Sequence, residues 1–179
     1  MTPALAGRTV LVTRPLQQAA ALSQAIRAAG GASIEFPALT IEAVPLERLR
    51  TSLEQLAAAD IVIFISPNAA QFGLAAIRSA GQTLPATGVF AVGPGTTRAL
   101  QAQGVAEIIT PQGQDSEALL ALPQLQEVAG KRVVIVRGVG GRALLADTLR
   151  ARGAEVHFLE CYQRRRPHAD AAPSARLAQ

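Results

Sequence analysis

The stretch DIVIFISPNAAQFGLAAIRSAG, Asp60 to Gly81, decides the fold class. From Ile61 to Ile65 the chain is apolar without alternation, the pattern of a strand covered on both faces rather than one with a wet side. Ser66 and Pro67 stop the run. The following segment carries its apolar residues at helical spacing, with Asn68 placed to cap it and Gly81 closing it. A doubly covered strand running directly into an amphipathic helix is one βα unit of a parallel sheet.

The same unit recurs on either side. RTVLVTRP (Arg8 to Pro15) reads as a strand, QQAAALSQAIRAAGG as a helix ended by Gly30 and Gly31, and ASIEFPAL as a strand stopped at Pro37. TIEAVP is extended and serves as a candidate linker, and LERLRTSLEQLAAA is the helix that leads into Asp60. Beyond Gly81, GVFAVGPG is a strand, TTRALQAQG a helix and VAEIITPQ a short strand. SEALLALPQL starts a helix with Ser116 as its cap, KRVVIVRG is a strand, GRALLADTLRARG a helix and AEVHFLECYQRR a last strand. This alternation predicts an α/β architecture: a parallel sheet with helices on both faces. The tail after Arg166, PHADAAPSARLAQ, has no periodicity and is expected to be disordered.

Composition narrows the function. The chain has 179 residues, room for one domain or two small ones, and is 49% hydrophobic with only 3% aromatic residues, so its core is aliphatic. No apolar run is long enough to span a bilayer, and the N-terminus lacks the order of a signal peptide. The single cysteine, Cys161, has no internal disulfide partner, and no His/Cys cluster has metal-ligand spacing. A soluble cytoplasmic protein without a metal is the expectation. The formal net charge is +4, and Lys131 is the one lysine among 17 basic residues. That excess of arginine suits carboxylates and phosphates, or reflects a bias of the source genome. Spread along the chain and without an aromatic platform, it does not point to nucleic acid.

In a parallel sheet ligands bind beyond the carboxyl ends of the strands, which singles out TRP, SPN, GPGTT, RGVGGR and CYQRR. In GPGTT, Gly93 and Gly95 permit close backbone approach, the amides opening the next helix carry partial positive charge, and Thr96 and Thr97 add hydroxyls. No Gly-Lys-Ser/Thr follows, so it is not a Walker loop, and Arg98 stands where a dinucleotide fingerprint needs its third glycine. The competing reading is a tight turn with a threonine cap. RGVGGR repeats the device with Gly138, Gly140 and Gly141 between Arg137 and Arg142, the alternative being a flexible turn with solvated arginines. Ser66 and Asn68 cap a helix or donate to a ligand. Arg14 ends the first strand on the surface or at a ligand. Tyr162, the one tyrosine, donates a hydrogen bond or is a half-buried ring. His157 alternates with apolar neighbours and is structural. No nucleophile–base pair, carboxylate pair or metal site can be assembled, which argues against a hydrolase or phosphotransferase.

Taken in order, VLVTRP, FISPNAA, AVGPGTTRAL, DSEALL, VVIVRGVGGRALLADTLRARGAEV and CYQRR resemble the uroporphyrinogen-III synthase family, over about Gly7 to Arg165. One difference is Ile65, where the family usually has threonine. The resemblance implies two similar flavodoxin-like α/β domains joined by extended linkers, with the chain visiting the first domain twice. On that pattern residues 1–37 are a βαβ part of domain one, 38–44 a linker, 45–161 a complete domain two, and 162–179 a return linker and tail. The remainder of domain one would then be missing from this chain.

The resemblance also implies an activity: cyclisation of hydroxymethylbilane, a linear tetrapyrrole with acetate and propionate arms on every ring. Water is lost and the last ring is inverted, with no cofactor and no metal. It assigns Tyr162 to departure of the hydroxyl, and Arg14, Ser66, Asn68, Gly93, Thr96, Gly138 and Gly141 to substrate binding. The expected partner is that small molecule alone, with no nucleic acid and no membrane. The chain is expected to be a monomer, self-association through the incomplete first domain being the alternative. An inactive tetrapyrrole- or carboxylate-binding module left by truncation is the competing function. A phosphate-receiving flavodoxin-like domain would need an acidic cluster at the strand ends, and none is there.

Overall fold

The structure, a computed structural model, describes residues 3–85, 88–141 and 143–167. The chain forms two compact units, one made of residues up to Glu42 together with those from Arg164 onward, the other of Ala43–Gln163. The predicted disorder of the tail falls mainly on residues 168–179, outside the described residues.

In the first unit β1 (Thr9–Val12) and β2 (Ala32–Glu35) pair in parallel, Thr9 opposite Ala32 and Val12 opposite Glu35, with α1 (Leu16–Ala28) between them in sequence. Val12, Ala19 and Ile26 form its buried cluster, with Leu5 and Val10 packed on it. Ser23, on the buried face of α1, donates to Glu35 at 2.7 Å, which satisfies a hydroxyl that would otherwise be stranded.

The second unit is built on a sheet in the order β3-β7-β6-β4-β5, of which Thr40–Glu42 in β3 and the last two residues of β7 are counted with the first unit. Its strands are β3 (Thr40–Ala43), β4 (Ile61–Phe64), β5 (Gly88–Ala91), β6 (Arg132–Gly138) and β7 (Glu155–Arg165). From β7 to β5 all neighbours are parallel. β3 runs the other way along β7, since Val44 N–H donates to the Cys161 carbonyl while Thr40 contacts Arg165. β4 lies between β5 and β6 and is buried at all four positions, as its unbroken apolar run requires.

Successive residues of each strand point to opposite faces. Ile61, Ile63, Val133 and Ile135 face α5 (Ser116–Leu120) and α6 (Leu144–Ala151), where Leu119, Leu120, Leu145 and Leu149 close the core. Phe64 and Val136 face α3 (Pro67–Ser79) at Gly73, the approach being so close that a Cβ there would stand 2.5 Å from Val136 Cγ1. Helices therefore cover both faces, as the alternation predicted.

Three local expectations are corrected. VAEIITPQ forms no strand. It reaches the sheet only at Ile109, which bridges Phe90, because one residue of this segment between Gly104 and Pro111 comes within pairing distance of β5. The helix expected from Leu46 is split: residues 46–48 form a 3₁₀ turn and α2 spans Arg50–Ala57. The caps also move one or two residues back. Ser66, not Asn68, is extended and accepts from Ala69 N–H at 3.0 Å, and Asp115, not Ser116, accepts from Ala118 N–H at 2.8 Å. A capping side chain must precede the first helical residue, a condition that Asn68 and Ser116 do not meet.

At the amino edge of the sheet His157 lies 2.7 Å from Glu155, which also meets Arg132 at 3.2 Å. The hydrogen bond from His157, then that from Arg132, holds the Glu155 carboxyl below its ordinary range. This is a surface role, in keeping with the structural reading of His157.

Candidate active site at the carboxyl ends of the strands

The second unit gathers most of the singled-out residues at one edge of its sheet. Ser66 lies two residues beyond β4 and Gly93 two beyond β5, β6 ends at Gly138, and β7 passes Tyr162. The register of β6 and β7 slips between Arg137 and Gly138, so Gly138 stands opposite Tyr162. That irregularity re-aims the tyrosine, as bulges near functional sites commonly do.

Tyr162 is buried, at 2% exposure, and not half-buried. Its ring packs against Phe72 of α3, with centroids 5.8 Å apart. Gly138 lies flat against it: a Cβ there would come within 2.6 Å of Cε2 and Cζ, so a glycine is needed for contact rather than conformation. The hydroxyl is 3.2 Å from Ser66 Oγ. Ser66 Oγ thus joins two structures, accepting from Ala69 N–H at the start of α3 and sharing a hydrogen bond with Tyr162. Ser66→Ala is expected to remove the cap and lower stability by about 1 kcal/mol, read as a shift in the thermal midpoint.

On the neighbouring strand Gly93 is the extended residue that precedes α4 (Pro94–Gln101). Pro94 has no N–H, and the Thr96 and Thr97 amides both donate to the Gly93 carbonyl, at 3.0 and 3.1 Å. The Gly95 amide is the remaining donor of this first turn for a ligand at the helix terminus. Thr96 is 3% exposed, so its hydroxyl belongs to the interior. Thr97 is the outer threonine, tied to Gly93 O at 3.2 Å and Thr110 Oγ1 at 2.7 Å. Asn68 is half-buried in the first turn of α3, Gly141 is exposed, and Arg14 lies exposed beyond β1 in the first unit.

The reading of RGVGGR as a turn with solvated arginines is corrected at Arg137, which is 5% exposed; Arg142 lies outside the described residues. Arg137 is on the face opposite Val136, over Phe158 at 4.7 Å, with Nε donating to Gly138 O at 3.2 Å and 3.6 Å from Glu160. Gly141 has φ +124°, a region that favours glycine, and a Cβ there would stand 2.8 Å from Arg137 Nη2. Sequence reasoning set Arg137 among the framing residues without making it a site residue. The signal was its place in the strand, two residues after Ile135 on the core-facing side.

Cys161 lies beneath the site, within 3.5 Å of the Arg137 carbonyl, and burial pushes its thiol up to about 12. Only the thiolate is nucleophilic. The folded chain is expected to resist iodoacetamide at pH 8 and to be labelled fully in denaturant, as mass spectrometry would record. Among the described residues no three His, Cys, Asp or Glu side chains cluster to hold a metal, and no helix is long and apolar enough to cross a membrane.

Known proteins resemble the chain in sequence and in fold. The family model described as uroporphyrinogen-III synthase HemD matches residues 20–179. The uroporphyrinogen-III synthase of Salmonella typhimurium is 43% identical over 172 residues, covering 93% of this chain and 69% of the relative; that of Escherichia coli is 41% identical with the same coverage. A crystal structure of uroporphyrinogen III synthase from Thermus thermophilus superposes with a TM-score of 0.72 at 22% identity, over 96% of this chain and 67% of that one, a likeness of fold. The chain belongs to the uroporphyrinogen-III synthase family, whose name places it in tetrapyrrole biosynthesis.

Proposed function

We propose that the chain cyclises hydroxymethylbilane to uroporphyrinogen III, with inversion of the last ring and loss of water, at the carboxyl edge of the second unit's sheet. The observation that carries this reading is the Ser66–Tyr162 hydroxyl pair at 3.2 Å, set between the glycine turns at Gly93 and Gly138. These groups are neutral hydrogen-bond donors, suited to holding carboxylate arms and a departing hydroxyl rather than to attacking a substrate.

In the proposed arrangement the Gly95 amide takes a carboxylate arm, and Asn68 and Gly141 line the same edge. Tyr162 donates to Ser66, whose lone pairs then serve Tyr162 and Ala69 N–H, leaving the serine proton for the substrate. Tyr162 thus acts on the departing hydroxyl through Ser66, which accounts for a tyrosine buried beneath the site. Thr96 supports the turn from within. Linear tetrapyrroles close by themselves without inversion, so the protein's contribution is to hold the conformation from which the inverted closure proceeds. The enzyme is proposed to act as a cytoplasmic monomer on this small molecule, without cofactor, metal or nucleic acid.

The test is an amide chemical-shift titration of the ¹⁵N-labelled chain with uroporphyrinogen III. Shifts concentrated at Ser66, Gly95 and Gly138 are expected. Shifts confined to the amino edge around Arg132 and Glu155, or none at saturation of the probe, would overturn the assignment of the site.

A further inference from the structure

Among the described residues Arg137 is the only buried charged residue, at 5% exposure. A buried charge is costly unless its donors are met. Here they are met on one side only. Nε has Gly138 O at 3.2 Å and Glu160 at 3.6 Å, and the ring of Phe158 lies below the guanidinium. The two terminal nitrogens make no hydrogen bond among the described residues.

Arg137 lines a cavity of about 240 Å³ at the carboxyl edge, on the α6 side of the sheet, together with Gln114, Asp115, Ser116, Val92 and Ile65. Asp115 is engaged elsewhere, its Oδ1 accepting from Ala118 N–H. The turn is shaped around the guanidinium, since Gly141 leaves no Cβ against Nη2. Pockets that enclose a whole ligand run to about 300–1,000 Å³, so this one has room for a side arm and not for a macrocycle. A planar fork held by its Nε and by a ring beneath it matches a carboxylate through two parallel hydrogen bonds.

We propose that Arg137 binds one carboxylate arm of the tetrapyrrole in this cavity through Nη1 and Nη2, with Gln114 and Ser116 as polar neighbours. This subsite is on the face of the sheet opposite Tyr162, so the edge would be gripped from both sides. The inference rests on the tetrapyrrole reading.

The experiment uses the full chain with Arg137→Gln and Arg137→Lys, and uroporphyrin III as a fluorescent probe. Dissociation constants are read beside the KM and kcat of uroporphyrinogen III formation and the thermal midpoints. Loss of a charged hydrogen-bond pair is expected to raise Kd and KM about tenfold to hundredfold, with kcat unchanged. Lysine, which keeps the charge without the fork, should fall between. Unchanged Kd with a lowered midpoint would make Arg137 purely structural and overturn the proposal. Should the glutamine variant not fold, the lysine variant decides alone: a raised Kd supports the subsite and an unchanged Kd overturns it. A wild-type chain that binds uroporphyrin but forms no uroporphyrinogen III would refute the proposed reaction while the Kd series still judged Arg137. A wild-type chain that does not bind the probe would overturn the subsite.

Discussion

Gly138→Ala is expected to lower the stability of the second unit by about 1–3 kcal/mol and to remove most formation of uroporphyrinogen III. The added methyl would stand 2.6 Å from two ring atoms of Tyr162, a ring that also packs against Phe72. Any adjustment moves the hydroxyl away from Ser66 and disturbs the start of α3. Gly95→Ala is the control for stability. There the new Cβ would meet only Pro67 Cγ, at an ordinary 3.7 Å, and alanine favours the helix. Denaturant unfolding of both variants, with product analysis of the first, checks the prediction. A Gly138→Ala protein as stable and active as the parent would show that the Tyr162 geometry does not matter.

Phe64→Ala should be the most damaging of the single core truncations, costing about 3–5 kcal/mol. Phe64 is fully buried in a strand paired on both sides, and its ring meets the sheet-facing side of α3 near Gly73. Helix α3 cannot settle into the void without clashing at Gly73, where Val136 is already in contact, so the cavity stays open. For a unit of this size the loss corresponds to a fall of roughly 10–20 °C in Tm, measurable by circular dichroism. A fall of only a few degrees would mean that the helix relaxes onto the sheet.

The sheet was legible because its strands are extreme. Ile61–Phe64 is apolar at every position and Val133–Val136 likewise, which only a doubly covered parallel strand tolerates, and the helices between them keep a clear period. The strand ends were legible as a set for the same reason: once the strands are placed, Ser66, Gly93 and Gly138 fall at one edge. What escaped depends on contacts between segments distant in sequence. Whether Arg137 is solvated or buried is decided by Phe158, one strand away, and by Gly141. The depth of Tyr162 follows from a one-residue slip between β6 and β7 that no local pattern announces. The preference for Ser66 over Asn68 as the cap turns on a single extended residue. The failed strand at Ile109 shows the converse: a β-prone run that meets the edge strand at one residue remains a bridge.

The most direct measurement generates hydroxymethylbilane in situ in the presence of the purified chain and separates the type I and type III uroporphyrinogens after oxidation. Type III is expected in clear excess, falling toward the uncatalysed type I product in Tyr162→Phe and Ser66→Ala. Type I alone from a folded sample would contradict it, leaving a member of the family whose strand-end site binds without directing ring inversion.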